Sequence, residues 1–177
     1  MTFIRTALLA LVATLVTLDV SAQVTKENVP GISNFSRLDT TIACAGATTP
    51  AAVVEVKKLG YNAIVNLRQA SEAGADLAGE EQAAKAAGIN YVSLPFNTAA
   101  PDPAVVAKFL DAVTLPANQP VFVHCASANR ASALWMIKRM MVDGWDAERA
   151  GTEAAALGLT NAALKTFALD YVASHKK

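Results

Sequence analysis

The chain has 177 residues, of which 53% are hydrophobic, 17% are charged and 37 are alanine. Fifteen basic residues balance fifteen acidic ones, so neither nucleic acid nor an anionic membrane is a partner held by bulk charge. Nine glycines, seven prolines and two cysteines exclude a fibrous chain and a disulfide scaffold. No Cys/His cluster has zinc spacing, and no metal or other cofactor is implied.

Residues 1–22 (MTFIRTALLALVATLVTLDVSA) have the layout of a signal peptide. Arg5 supplies the positive start, Ala7 to Leu18 form an uncharged apolar core, and Val20-Ser21-Ala22 offers small residues at a cleavage point. The apolar run falls short of the roughly 20 residues that span a bilayer. The competing readings are an uncleaved anchor and a buried helix. Cleavage is expected between Ala22 and Gln23, giving an exported, periplasmic or secreted protein without stable membrane association, with residues 23–177 as one domain.

That domain alternates strand and helix. Asn28 to Ser36 is an irregular lead-in, and Arg37 to Ala43 reads as a first, edge strand. Thr49-Pro50 opens a helix, with threonine at the cap and proline in the first turn; Gly60 closes it after Leu59. The run Ala63 to Leu67 predicts a buried strand, and Gln69 to Gly79 a polar loop. A helix follows over Glu80 to Ala87 and a strand over Ile89 to Leu94. Asp102-Pro103 repeats the cap-plus-proline signal for a helix reaching Val113. Pro120 to His124 is a strand, and helices are predicted over Ala131 to Val142, Asp146 to Leu157 and Thr160 to Ser174. This order implies a three-layer α/β fold, with a mainly parallel central sheet of four to five strands and helices on both faces. Ligands bind such sheets at the carboxyl ends of the strands. The loops after Leu67, Leu94 and His124 should therefore meet at one site.

The third of these loops is His124-Cys125-Ala126-Ser127-Ala128-Asn129-Arg130, between a buried strand and a helix. Such a turn aims backbone amides and the positive end of a helix at one point. A cysteine entering that nest is stabilised as thiolate, and Arg130 adds a permanent positive charge. The same amides and the guanidinium fork suit a tetrahedral oxyanion, which is what phosphoryl transfer to cysteine requires.

HCASANR after Val-Phe-Val resembles the His-Cys-(X)n-Arg signature of the cysteine-dependent protein tyrosine and dual-specificity phosphatase superfamily. The similarity continues through Asn34-Phe35-Ser36-Arg37, Ala63 to Arg68, Gly88 to Pro95 and Ala133 to Trp145. In that order these segments are similar to the bacterial beta-lactamase-hydrolase-like phosphatase group. The resemblance implies a tyrosine-phosphatase-like fold. It also implies a phosphoric monoester hydrolase acting on a phosphorylated small molecule or phosphoprotein through a cysteinyl-phosphate. Cys125 would be the nucleophile, Arg130 the oxyanion ligand and Asp102 the general acid. His124, Ala126, Ser127, Ala128, Asn129 and Arg68 would form the substrate-binding set.

The sequence departs from the family in three places. Most members put five residues between cysteine and arginine, whereas four stand here, a length shared with rhodanese sulfurtransferases. Ala128 stands where glycine is usual, and Ala131 where a Ser/Thr assists the thiolate; Ser132 is one position late. Several residues also have plainer readings. Asp102 is the only carboxylate on the loop Pro95 to Asp102, yet it is equally a helix cap. Arg68 can touch substrate or pair with Glu72 or Asp76. His124 can orient the loop or serve as a buried structural histidine, and Ser127 and Asn129 can satisfy loop backbone groups. Cys44 can pair with Cys125 in a reversible disulfide or pack as a buried thiol. Two further functions stay open, a sulfurtransferase carrying a Cys125 persulfide and a non-catalytic anion-binding domain.

Overall fold

The computed structural model describes residues 23–175; the expected signal peptide, residues 1–22, lies outside them. The strands are β1 (Val24–Lys26), β2 (Ser36–Leu38), β3 (Ile42–Ala45), β4 (Ala63–Asn66), β5 (Asn90–Ser93) and β6 (Val121–His124). The helices are α1 (Val53–Lys58), α2 (Leu77–Ala87), α3 (Pro103–Thr114), α4 (Asn129–Met141), α5 (Ala147–Leu157) and α6 (Ala162–His175). The sheet runs β1-β2-β3-β6-β4-β5. The four strands β3, β6, β4 and β5 are parallel, with β5 at one edge, and β1 and β2 are antiparallel at the other.

The edge differs from the expectation. The single strand over Arg37 to Ala43 is instead a hairpin, because Asp39 adopts a left-handed φ of 47° and turns the chain between β2 and β3. Aspartate tolerates that conformation better than most residues. With β1, which its short sequence did not announce, the described sheet has six strands rather than four or five.

Alternation along the parallel strands feeds two cores. Val121 and Val123 of β6 pack with Ile42, Cys44 and Val65 beneath α3 to α6. Phe122 packs with Ala43, Ala45 and Ile64 beneath α1 and α2. Every residue of β3, β4 and β6 is buried, which explains why these strands read as apolar runs without polar alternation. Helix starts follow the side-chain rules: Asp76, Asp102 and Asp146 accept from the amides of Gly79, Ala104 and Arg149. Capped by Asp76, α2 begins at Leu77, three residues before the expected Glu80, which places Glu80 inside the helix on its buried face.

Helix α4 is the central column of the larger core. All residues from Arg130 to Ile137 are buried, and Trp135 donates its Nε1–H to Glu153 at 2.8 Å. No helix of the described residues is long and apolar enough to cross a membrane. On the opposite face Phe122 stacks on Phe35, with ring centroids 6.2 Å apart, and meets Tyr61 at 5.9 Å. Truncating Phe122 to alanine should remove about 3–5 kcal/mol of stability, measured as a fall in the urea midpoint at unchanged slope.

Candidate active site

The connection from β6 to α4 is short because the chain turns upward immediately after His124. Cys125 is 1% exposed, and its amide donates to Ala45 O at 3.1 Å, continuing the β3–β6 ladder by one rung. The Ala47 amide donates to Ala126 O at 3.1 Å, so the end of β3 holds the loop from outside. Ala128 takes φ 71° and is the N-cap of α4, which answers the question left by the missing glycine. The loop does require a left-handed residue there, and alanine bears a strain of about 1 kcal/mol. Among the described residues, the amides of Ala126, Ser127, Asn129 and Arg130 have no turn or loop carbonyl as acceptor. They surround the start of a helix whose dipole favours an anion.

Arg130 is 7% exposed and meets this cup from the side. Its Nη1 donates to Leu67 O at 2.9 Å, Phe96 O at 3.0 Å and Glu72 Oε1 at 2.5 Å, and its Nη2 donates to Glu72 Oε2 at 2.7 Å. Among the described residues no carbonyl or carboxylate is paired with Nε or with the second Nη2 hydrogen, while the guanidinium also meets the Cys125 thiol. Burial would lower the arginine's basicity, but its contacts with Glu72 and Cys125 prevail and raise it. The loops after β4, β5 and β6 thus converge on Arg130, as the fold class implies. A cavity of about 320 Å³ opens over the cup, lined in part by Gln69, Glu72, Thr98, Ser127, Asn129 and Arg130.

Glu72 is the functional residue whose role the sequence hid. It was legible as a partner of Arg68, and Arg68 does reach it at 3.4 Å, but its bidentate bond is to Arg130. Nothing in the loop's composition ties it to an arginine 58 residues away. Arg68 also donates to Gly74 O at 3.0 Å and Ala73 O at 2.6 Å. It folds the loop that presents Glu72 and does not line the cavity, so the pairing reading replaces the substrate contact.

His124 is fully buried behind the loop, stacked on Phe122 with ring centroids 5.6 Å apart. Its Nε2 lies 2.6 Å from Glu80 Oε1. Neither atom completes a hydrogen bond. Asn66 donates to the other Glu80 oxygen at 2.9 Å. His124 therefore supports the loop from the core and does not touch ligand space. Ser132 donates to Ala128 O at 3.0 Å, so its hydroxyl serves the loop backbone. Both cysteines are free thiols. Burial pushes the Cys44 thiol far above its ordinary range, opposed only partly by a hydrogen bond with Ser132. Asp102 accepts from the Ala104 amide at 2.8 Å as the cap of α3, and it is not among the residues lining the cavity. Among the described residues no cluster of three or more His, Cys, Asp or Glu side chains is fit for a metal.

Burial would raise the Glu72 carboxyl, but hydrogen bonds from Arg130, the Gln69 amide and Arg68 prevail and hold it at about 2. A depressed carboxylate contributes stability that is present above its ordinary value near 4.5 and is lost as pH falls through about 2. Glu72→Gln should therefore lower the melting temperature at neutral pH. The gap to the wild type should close on acidification through that window in parallel melts; a gap independent of pH would contradict the pairing.

Residues 34–142 match the family described as beta-lactamase hydrolase-like protein, phosphatase-like domain. No curated protein sequence matches the chain significantly. Solved structures share the fold. TpbA of P. aeruginosa is 23% identical with a TM-score of 0.64, covering 89% of this chain and 92% of its own. A DUF442 protein of Shewanella putrefaciens CN-32 is 20% identical with a TM-score of 0.68, covering 83% and 96%. The catalytic core of the PP-IP phosphatase SIW14 of S. cerevisiae is 20% identical with a TM-score of 0.66, covering 81% and 88%. The chain belongs to the family of the beta-lactamase hydrolase-like protein, phosphatase-like domain.

Proposed function

We propose that the domain hydrolyses phosphate monoesters through a cysteinyl-phosphate on Cys125. One observation carries this reading: a cysteine lies at the floor of a turn in which the amides of Ala126, Ser127, Asn129 and Arg130 have no turn or loop carbonyl as acceptor among the described residues, beside a guanidinium already fixed by Glu72. The sulfur attacks phosphorus as the ester P–O bond breaks. The amides of Ala126, Ser127, Asn129 and Arg130, with Nε and Nη2 of Arg130, hold the equatorial oxygens. The leaving oxygen takes a proton, and water then cleaves the P–S bond, returning the thiolate and inorganic phosphate. Donors placed around the equatorial oxygens act in the transition state and need no reorganisation during the step. Asp102 is the proposed proton donor. One of its oxygens caps α3, the other is open to a proton, and Thr98 on the same loop already lines the cavity.

The substrate is a phosphorylated small molecule or a phosphoprotein. TpbA, in a cysteine-to-serine form, has been solved with phosphotyrosine, which supports the protein-phosphate side of this choice. The four-residue loop is the one feature that favours a sulfurtransferase; transfer of sulfur from thiosulfate to cyanide would reveal it. The protein is exported after cleavage between Ala22 and Gln23, and N-terminal sequencing of the processed form should begin at Gln23 rather than Met1.

p-Nitrophenyl phosphate should be hydrolysed by the wild type with competitive inhibition by vanadate, and Cys125→Ser should abolish turnover. Proton donation is worth about 100- to 10,000-fold. Asp102→Asn should thus slow alkyl phosphates, whose leaving groups need the proton, far more than p-nitrophenyl phosphate. Equal effects on both esters would remove Asp102 from the mechanism, and activity surviving in Cys125→Ser would remove the covalent intermediate.

A further inference from the structure

A second cavity of about 710 Å³ adjoins the one over the phosphate cup. The two share only Ser127 and Asn129 among their lining residues. Beyond that divide the larger cleft runs past Asn28 and Asn34 of the lead-in and past Gly158 and Thr160 of the turn joining α5 to α6. On the near side the same turn supplies Asn161, and α6 supplies Leu164, to the wall of the phosphate cavity. The position of this one turn therefore sets the shape of both spaces.

Asn129 holds that turn. Its Oδ1 accepts from the Thr160 amide at 2.7 Å, the Asn161 amide at 2.8 Å and the Thr160 hydroxyl at 3.3 Å. Its Nδ2 donates to Ser127 Oγ at 3.3 Å. Asn161 in turn accepts from the Leu164 amide at 3.0 Å and so caps α6. The residues clamped are 31 and 32 positions away in sequence, so the bonds are not the local backbone satisfaction common for asparagine. An amide side chain is specifically suited to this place: it offers an acceptor to three donors and a donor to a hydroxyl without placing a negative charge at the phosphate cup.

We infer that Asn129 is a positioning residue that fixes the α5–α6 turn as the wall between the phosphate cavity and a leaving-group subsite. The subsite would take the polar, bulky portion of a phosphate monoester too large for the cup alone. The inference rests on the phosphatase reading and extends it to substrate class. A single aryl ester such as p-nitrophenyl phosphate fills the smaller space, whereas a phosphotyrosyl peptide must lie across Asn129 into the larger one.

The test compares wild type, Asn129→Ala and Asn129→Asp by amide hydrogen exchange and by kinetics on those two substrates. In Asn129→Ala the Thr160 and Asn161 amides should exchange at least tenfold faster. KM for the peptide should rise at least tenfold more than KM for p-nitrophenyl phosphate. Asn129→Asp keeps the acceptor and should restore slow exchange, while its charge beside the cup raises KM for both substrates. Unchanged exchange in Asn129→Ala, or equal rises in both KM values, would overturn the inference by confining Asn129 to the cup. A wild type inactive on both substrates would instead overturn the phosphatase reading, with the exchange data still reporting whether the clamp exists.

Discussion

A guanidinium cannot sit at the end of a buried parallel sheet without a partner, and the Arg130–Glu72 pair meets that constraint. Removing one member of a buried pair leaves a charge uncompensated, which costs more than the pair contributes. Here the pair also gives geometry. Two parallel bonds from Nη1 and Nη2 to one carboxylate fix the plane of the guanidinium, and the carbonyls of Leu67 and Phe96 fix its depth. Those carbonyls follow β4 and β5, so the arginine joins three strand ends. The loop after β4 then has a structural task beyond connection. Arg68 gathers its carbonyls and steadies Glu72, which in turn aims Arg130. Two arginines share one carboxylate, but only Arg130 faces the cavity.

The layer order and the site's location were legible because they follow from short-range signals. Apolar runs at Ala63 and Val121, aspartates and prolines at helix starts, and a strand-to-helix turn carrying cysteine and arginine each announce themselves within ten residues. The edge hairpin was not legible, since Asp39 is only one of many polar residues that tolerate a left-handed turn. The long-range roles were equally hidden. Glu72 pairs across 58 positions, Asn129 clamps across 31 and 32, and Glu80 sits against His124 from a helix that starts earlier than its own apolar pattern suggests. A sequence read locally sees three ordinary polar residues there. Only the sheet order brings them to the active-site loop.

The two sides of the loop are held by different physics. On the core side, His124 and Glu80 are both buried and in close contact, with Asn66 satisfying the second carboxylate oxygen and Tyr91 sharing the Asn66 amide. Displacing this side of the loop would break the buried Asn66–Glu80 hydrogen bond and the stacking of His124 on Phe122. On the solvent side, Asn129 uses neutral hydrogen bonds at a partly exposed position. Those bonds exchange with water at modest net cost. The core side therefore fixes the floor of the cup, whereas the α5–α6 wall is the portion able to yield to a substrate.

Ala128 shows where conformational freedom went when the usual glycine was lost. A left-handed alanine brings a Cβ into the crowded base of α4, and room for it must come from a neighbour. Gly158 provides it: a Cβ added there would approach Ala128 Cβ to 3.0 Å, and its own φ of 122° suits glycine. On the other flank a Cβ on Gly46 would fall 2.4 Å from Ser33 Oγ and 3.0 Å from Ala126 O, so the segment after β3 can approach the loop only without a side chain. Glycine is needed at the two segments that brace the loop. The loop itself then needs less freedom, because its shape is imposed from outside by Ala47, Gly46 and Gly158 rather than chosen from within. The same bracing accounts for a four-residue spacing between Cys125 and Arg130. A shorter loop has fewer torsions with which to find the cup, and it works here because neighbouring backbone defines the cup around it.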